Sequence, residues 1–292
     1  MPYRARGAQT LLEALERIFE GRSRKDLRRL LADERVRVND AVATDPRLVL
    51  GEGDAVDCVR FGRPLEVHPR VRLVYEDDHL LVVDKGAGIL TCGGTPGLEP
   101  TVADVLEKYL RQRGVRGKAF PCHRLDRGVS GLCLFARQPH VAKQVRDETR
   151  RHLKERVYHA LVEGVPLKSS GTIRSQLQDD DQSLVVREVA PGEGKMAVTH
   201  YRVLEAGTSN ATVEVRLETG RKNQIRVHFA SIGHPIAGDR KYGAKTDPAR
   251  RIALHAARLT VIHPVTGEVL ELRSEVPRSF ARVPEARRRT KT

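Results

Sequence analysis

Apolar residues recur at intervals of three and four positions near the start of the chain, over residues 11–19. This spacing places them on one face of a helix. The pattern therefore predicts an amphipathic helix from Thr10 to Glu20, with Thr10 as a possible N-cap and Gly21 as the residue that ends it.

A second predicted helix begins at Ser23, and its apolar stripe is formed by Leu27, Leu30 and Leu31. A β-pattern follows it, in which apolar residues alternate over 36–38 and the turn pair Asn39-Asp40 precedes Val42. A further turn at 51–54 leads into a short strand, predicted over Ala55–Val59. We predict a small domain over residues 1–60.

The segment 61–70 contains a glycine and two prolines, which favours a linker. From Val71 onward the pattern changes, because short β-rich runs are interrupted by helical patterns at Val102–Gln112 and His140–Glu155. This order predicts an α+β catalytic domain over 71–280 with a large mixed or antiparallel sheet. The β-rich runs are Arg72–Tyr75, His79–Asp84, Leu132–Ala136, Val157–Val162, Ala211–Leu217, Ala253–Ile262 and Val269–Ser274.

The net charge of the chain indicates what kind of partner it binds. The 292 residues carry a formal net charge of +14, which favours a polyanion as the partner. The last residues, 281–292, are strongly basic and predict a disordered tail that adds electrostatic affinity.

The apolar runs are far shorter than the roughly 18 residues of a membrane helix. The first ten residues have no apolar segment typical of a secretory signal, so we expect a cytoplasmic protein. The cysteines form no C-x-x-C pair and are expected to be buried or idle thiols rather than metal ligands. They are Cys58, Cys92, Cys122 and Cys133.

The densest polar cluster is the segment HRLDRGVSG, residues 123–131, which reads as a loop followed directly by a strand. Its carboxylate, Asp126, is flanked by Arg124 and Arg127 and is expected to stay ionised, because nearby positive charge favours the charged form. Taken alone, the same residues are also typical of a surface salt bridge in a turn.

Two further clusters of polar residues contain candidate functional side chains. In ETGRKNQIRVH, residues 218–228, an extended backbone would place Gln224, Arg226 and His228 on one face, with Arg226 able to reach a cleft. In ERVYHALVEG, residues 155–164, Tyr158 alternates with apolar neighbours and would lie on one face of a strand. A core aromatic residue is the simpler interpretation of Tyr158 by itself.

Residues 21–58 resemble the αL RNA-binding module, named after a small-subunit ribosomal protein. The resemblance rests on the basic helix, the hairpin with VRVND, and the GEGD turn. It implies that four basic residues of the second helix face RNA phosphates. They are Arg24, Lys25, Arg28 and Arg29.

The segments HRLDRGVSG, ERVYHALVEG and ETGRKNQIRVHFASIGHPIAGDRKYG resemble three signature segments of the RluA-type pseudouridine synthases, in the order of that family. VVDKGAGILT, residues 82–91, and ALHA, residues 253–256, resemble two more. The resemblance covers roughly residues 70–280 and implies the α+β pseudouridine synthase fold.

By matching position, the resemblance makes Asp126 the catalytic aspartate, Tyr158 the active-site tyrosine and Arg226 the arginine that pairs with the aspartate. It makes Leu254 an apolar residue that buttresses the site. We also expect RNA contacts from Arg124, Arg127 and Arg221. This chain departs from the family pattern at three positions, with Val129, Asn223 and Gly86 where the family usually has Thr, His and Pro.

The implied reaction detaches uracil from ribose at nitrogen, rotates it and rejoins it through carbon five. The atoms are conserved, so no redox cofactor and no metal are expected. The reaction needs an ionised carboxylate beside the anomeric carbon, either as a nucleophile or as a base toward a ribose proton. It also needs the uridine to leave its stack, after which Tyr158 could stack on it.

We therefore expect a monomeric RNA pseudouridine synthase that acts on ribosomal RNA, with transfer RNA as the alternative substrate. A non-catalytic RNA-binding or ribosome-assembly factor on the same scaffold is the main alternative. A glycosidase or nucleosidase is a weaker one, because the segment lacks a convincing second carboxylate to act as general acid.

Overall fold

The computed structural model describes residues 3–19, 23–32, 34–58, 64–94, 98–115, 117–180 and 185–280. Within these ranges the chain forms two groups of elements, which have separate sheets and separate hydrophobic cores. The predicted basic tail, 281–292, lies outside the described residues. None of the described helices is long and apolar enough to span a membrane.

The first group packs two short helices against short strands. Strands β1, β6, β3 and β4 form one small sheet in that order, and β2 pairs with β5. The elements are β1 (Tyr3–Arg4), β2 (Gln9–Thr10), α1 (Leu11–Ile18), α2 (Arg24–Ala32), β3 (Val36–Val38), β4 (Ala41–Val42), β5 (Val49–Leu50) and β6 (Ala55–Cys58).

Local sequence signals account for these elements. The Thr10 side chain accepts a hydrogen bond from the Glu13 backbone, and the Glu13 carboxylate accepts one from the Thr10 backbone, which completes a capping box. The β3–β4 hairpin turns through Asn39 and Asp40, and both have the positive φ of a two-residue hairpin turn. The helices, the buried leucine stripe and the hairpin are confirmed. The predicted helix end at Gly21 lies outside the described residues.

The second group is built on one large sheet with helices on both faces. Its elements are β7 (Leu65–His68), β8 (Val71–Glu76), β9 (Leu80–Lys85), α3 (Val102–Gln112), β10 (Phe120–Pro121), β11 (Ser130–Ala136), α4 (Pro139–Asp147), α5 (Thr149–His152), β12 (Leu153–Glu163), β13 (Ser170–Asp180), β14 (Val185–Val189), β15 (Lys195–Ala206), β16 (Asn210–Leu217), α6 (Gln224–Ser231), β17 (Leu254–Ile262) and β18 (Val269–Arg273). Single 3-10 turns lie at Arg240–Tyr242 and Arg278–Phe280.

The strand order is β14-β13-β15-β16-β12-β17-β11-β9-β8-β7, with β10 added to β11 and β18 to β17. Strand β11 runs parallel to β17, and the other described pairs are antiparallel, so the predicted mixed sheet is confirmed. Side chains alternate between two cores. On β9, Leu81 and Val83 join the core that contains α3, whereas Leu80 and Val82 join the core under α4.

Four features differ from the sequence expectation. Residues 65–68 of the predicted linker form β7, an edge strand where prolines at 64 and 69 cost no ladder hydrogen bond. The helix predicted over His140–Glu155 ends at His152, because residues from Leu153 onward pair with β17. Strands β13 and β15 were not predicted, because much of their length is polar and exposed.

The predicted extended segment at 224–228 is also wrong, because these residues form helix α6. All side chains from Gln224 to Phe229 are buried, so the helix has no exposed face. Its sequence therefore lacks the 3.6-residue alternation of apolar and polar positions that indicates a surface helix. Asn223 precedes it in the left-handed conformation, with φ of 53°. Burial on every side therefore outweighs the β-preference of Ile225 and Val227.

The close approach of β11 to β17 requires a glycine at position 131. Gly131 has a φ of +111°, and a Cβ there would lie 2.3 Å from the carbonyl oxygen of Ala256. We expect Gly131→Ala to cost roughly 3 kcal/mol of stability, which lowers Tm by about 6–12 °C in a domain of this size. Circular dichroism melting measures the shift. Gly117→Ala, where a Cβ meets nothing within 4 Å, is the control and should leave Tm nearly unchanged.

Candidate active site

Asp126 lies in the loop between β10 and β11, as the sequence predicts. Hydrogen bonds hold this loop on both sides of the aspartate. Before it, the Thr91 hydroxyl donates to the carbonyl of Leu125 at 2.8 Å and accepts from its N–H at 3.1 Å. After it, the carbonyl of Arg127 accepts from the Gly88 backbone at 2.7 Å. These hydrogen bonds therefore fix the backbone that carries Asp126.

The loop is also tied to Lys85, which is fully buried at the end of β9. Its Nζ donates to the carbonyls of Gly86 and Ile89 at 3.0 and 2.9 Å and approaches that of Arg127 at 3.5 Å. Burial lowers the pKa of Lys85 to about 8. Lys85 thereby joins the segment after β9 to the loop that carries Asp126.

Arg226 brings the two acidic groups of the site together. Its Nη1 donates to Asp126 Oδ2 at 2.9 Å. Its Nε and Nη2 donate to the two carboxylate oxygens of Asp239, at 2.6 and 2.8 Å. Burial alone would lower the pKa of Arg226, but hydrogen bonds and charge from Asp239, and then from Asp126, raise it above its ordinary value. The predicted pairing of Arg226 with Asp126 is present, although Arg226 comes from a helix.

Sequence reasoning missed Asp239, which is almost completely buried. It lies in the segment GDRKYG that closes the third signature, directly before the 3-10 turn at Arg240–Tyr242. Tyr242 also packs on this arginine, because the centroid of its ring lies 4.9 Å from the guanidinium carbon of Arg226. An aspartate after glycine is typical of a surface turn, so no local signal distinguishes Asp239 as a functional residue.

One of the three departures from the family pattern takes part in this network. Asn223 accepts a hydrogen bond from Arg226 Nη1 and donates one to the hydroxyl of Tyr242, each at 2.9 Å. The amide therefore occupies a position where it satisfies both an arginine donor and a tyrosine acceptor. Asn223 keeps the network connected.

The other two departures fit their surroundings. Val129 is buried in the core, and its backbone N–H donates to the carbonyl of Asp126 at 3.1 Å. Gly86 donates to the carbonyl of Arg70 at 2.7 Å, which a proline could not do. A Cβ at Gly86 would also lie 3.2 Å from three atoms of Arg70.

Tyr158 lies on β12 and faces the same cleft as Asp126. Burial raises the pKa of Tyr158 to about 12, so its hydroxyl stays protonated at neutral pH. Leu254 lies on the neighbouring β17 opposite Ala160 and is buried in the same core as Tyr158. The structure thus places Leu254 in the core that supports the tyrosine strand.

The cleft has a volume of about 970 Å³, and its lining contains nine arginine and lysine residues against two acidic ones. Arg124, Arg127 and Arg221, predicted from the sequence to contact RNA, all line it. Arg127 also forms an ion pair with Glu99 at 2.6 Å. The cleft contains further basic residues that the sequence analysis did not single out. They are Arg146, Arg150, Arg156, Lys222 and Lys241.

The basic residues of the first group stand apart from this cleft. Arg24, Lys25 and Arg28 are exposed on α2, and Arg24 forms an ion pair with Glu16 at 2.5 Å. The side chain of Arg29 lies outside the described residues. The predicted role of this helix in RNA binding therefore stays a prediction.

The described thiols are free. Cys92 is partly exposed and lines the cleft, whereas Cys122 and Cys133 are buried. Burial raises the pKa of both Cys122 and Cys133 to about 12, so they remain protonated. The side chain of Cys58 lies outside the described residues.

Comparisons with known proteins agree with this geometry. A family model described as RNA pseudouridylate synthase matches residues 79–231. Ribosomal large subunit pseudouridine synthase D of Pasteurella multocida is 32% identical over 297 residues, which cover 95% of this chain and 91% of that protein. The uncharacterized RNA pseudouridine synthase YhcT of Bacillus subtilis is 35% identical over 207 residues, covering 70% and 68%.

A solved structure, human RNA pseudouridylate synthase domain containing 4, matches with a TM-score of 0.57 at 27% identity. The match covers 71% of this chain and 89% of the human chain. The chain belongs to the RNA pseudouridylate synthase family. It is an isomerase of uridine in RNA, and the expected membership among the RluA-type enzymes is confirmed.

The ion pair between Arg226 and Asp239 supplies a prediction. Asp239→Asn leaves the buried guanidinium without its bidentate partner, so we expect a loss of about 3–5 kcal/mol of stability. We also expect reduced turnover, because Arg226 is then free to leave Asp126. Thermal melting and tritium release from uridine-labelled RNA measure the two effects.

Glu99→Gln is the matched control, because it also neutralises a carboxylate that pairs with an arginine, but at the surface. That change should cost less than about 1 kcal/mol. Equal destabilisation by the two variants would contradict the assigned importance of Asp239.

Proposed function

We propose that the protein converts uridine to pseudouridine in large-subunit ribosomal RNA, with Asp126 as the essential carboxylate. The observation that carries the proposal is the ion pair of Asp126 with Arg226 in a basic cleft. A relative whose printed name is ribosomal large subunit pseudouridine synthase D aligns with nearly the whole chain, which favours ribosomal over transfer RNA.

In the proposed reaction, the carboxylate of Asp126 lies beside the anomeric carbon of the bound uridine. It either attacks that carbon or removes a ribose proton, and uracil leaves from nitrogen in both cases. Arg226 orients the carboxylate by donating to Oδ2, which leaves Oδ1 for the substrate. The freed uracil rotates and forms its new bond to ribose through carbon five, from which a proton is lost.

The target uridine has to leave its stack to reach Asp126, which costs a few kcal/mol. Tyr158 offers a buried ring on which the extruded base can stack, worth roughly 1–3 kcal/mol. The hydroxyl of Tyr158 is the candidate acceptor for the proton from carbon five, and it would have to be ionised to accept it. Its main contribution in this proposal is stacking.

Phosphate contacts would provide the remaining binding free energy. We propose that residues 1–60 form a separate RNA-binding unit and that its helix α2 contacts phosphates through Arg24, Lys25, Arg28 and Arg29. The cleft arginines would hold the RNA around the target. We further propose a monomeric, cytoplasmic enzyme that binds no cofactor and no metal.

Tritium release from RNA labelled at carbon five of uridine tests the assignment. Wild type and Asp126→Asn are compared on separate ribosomal and transfer RNA transcripts. We expect release by wild type on the large-subunit transcript and a loss of at least about 10³-fold in Asp126→Asn, with RNA affinity retained.

Release from transfer RNA alone would contradict the proposed substrate. Undiminished release by Asp126→Asn would contradict the proposed role of the carboxylate.

The salt dependence of RNA binding tests the role of α2. Each phosphate contact contributes about 0.7–0.9 to the slope of log K against log salt concentration. We therefore expect Arg28→Gln to reduce that slope by about this amount, measured by fluorescence anisotropy with the same transcript. Arg47→Gln removes an exposed arginine of the same unit, one that bonds to Asp45, and should leave the slope unchanged. An unchanged slope in Arg28→Gln would contradict the proposed contact.

A further inference from the structure

The cleft contains one buried cation that the reaction described above does not use. Arg156 lies on β12 two residues before Tyr158, so both side chains point to the same face of the strand. Only 8% of Arg156 is exposed, although it lines the cleft. The other cleft arginine that is this deeply buried, Arg226, is paired with two carboxylates.

Arg156 lacks such pairing among the described residues. Its Nε is buried without a hydrogen-bond partner, and it forms no ion pair with a described carboxylate. Burial lowers the pKa of Arg156 accordingly. A buried charge without a partner costs several kcal/mol, so such a group is usually matched by an anion that the unliganded protein lacks.

The nearest titratable neighbours do not supply that anion. Nε2 of His123 accepts a hydrogen bond from the Leu134 backbone at 3.1 Å, so its proton is on Nδ1. Burial, and then the charge of Arg156, lower the pKa of His123 to about 3, which keeps the ring neutral. Tyr158 is neutral as well. A cation thus stands beside two uncharged groups in the pocket that receives the nucleotide.

A glycine in the lining of the cleft leaves room for this guanidinium. Gly220 lies in the segment between β16 and α6, and a Cβ there would come within 2.5 Å of Arg156 Nη1. The φ of Gly220 is not in the left-handed region, so backbone conformation does not require glycine. The guanidinium of Arg156 occupies the space where a side chain at position 220 would lie, and this close packing keeps the guanidinium at the cleft.

We propose that Arg156 binds a phosphate of the flipped uridine nucleotide and thereby positions the nucleotide between Asp126 and Tyr158. A guanidinium offers two parallel donors that match two phosphate oxygens. Because Arg156 and Tyr158 lie on the same face of β12, the site for the phosphate would lie beside the ring on which the base stacks. Arg156 is thus a positioning residue, separate from the pair of Asp126 and Arg226.

The first test uses nucleotides and so depends neither on the identity of the RNA nor on the role of Asp126. Binding of uridine, uridine 5′-monophosphate and uridine 3′-monophosphate is measured by NMR titration. We expect wild type to bind one monophosphate about 10–100-fold more tightly than uridine, as a charge-assisted bidentate contact implies. Arg156→Gln should lose this preference, and Arg156→Lys should keep part of it.

Arg150→Gln is the matched control, because it removes the same charge from the exposed wall of the cleft. It should retain most of the preference for the monophosphate. Wild type that binds neither monophosphate more tightly than uridine would overturn the proposal. An Arg156→Gln variant that keeps the preference, or an Arg150→Gln variant that loses it equally, would do so as well.

A second test separates positioning from a structural role. Because Arg156 is buried and unpaired, Arg156→Met should leave Tm unchanged or raise it. Gly220→Ala should displace the guanidinium and weaken the monophosphate preference in wild type, but should have no further effect in Arg156→Gln. A large fall in Tm for Arg156→Met, or additive effects of Gly220→Ala and Arg156→Gln, would assign Arg156 to the scaffold and overturn the proposal.

Discussion

The buried guanidinium of Arg226 is the interaction on which the site depends. Two of its donor atoms are used on Asp239, and only Nη1 is left for Asp126 and Asn223. One guanidinium therefore contacts two carboxylates. Asp126 is held at one oxygen only, in a cleft whose lining contains more basic than acidic side chains.

The centre of the large sheet brings these groups together. Strands β12, β17 and β11 lie side by side in that order, so only β17 separates the strand of Tyr158 from the strand that follows the Asp126 loop. Helix α6 places Arg226 within hydrogen-bond distance of Asp126, which lies 100 positions earlier in the chain. Each group is held by a different kind of support: Asp126 by loop hydrogen bonds, Tyr158 by strand pairing, and Arg226 by its own buried aspartate.

Motif resemblance identified Asp126, Tyr158 and Arg226 from the sequence, and the structure brings them to one cleft. Local patterning identified the first two helices and the hairpin, because their signals lie within a few residues of one another. It failed for α6, whose burial on all sides removes the periodicity that distinguishes helix from strand. It also failed for Asp239 and Arg156, because the hydrogen-bond partners and the burial of these two residues depend on residues that are distant in the chain.

The contact of β11 with β17 also determines when the catalytic part can fold. Ser130 meets His255, which lies 125 positions further along the chain, and Gly131 packs against the backbone beside it. The first group, by contrast, draws its core from residues before the linker segment. During synthesis from the N-terminus, that group can fold while most of the sheet has yet to be made. The strand that follows the Asp126 loop acquires its neighbour β17 only near the end of translation, since such distant pairings form late. A nascent chain would therefore have its small N-terminal unit long before it has an active site.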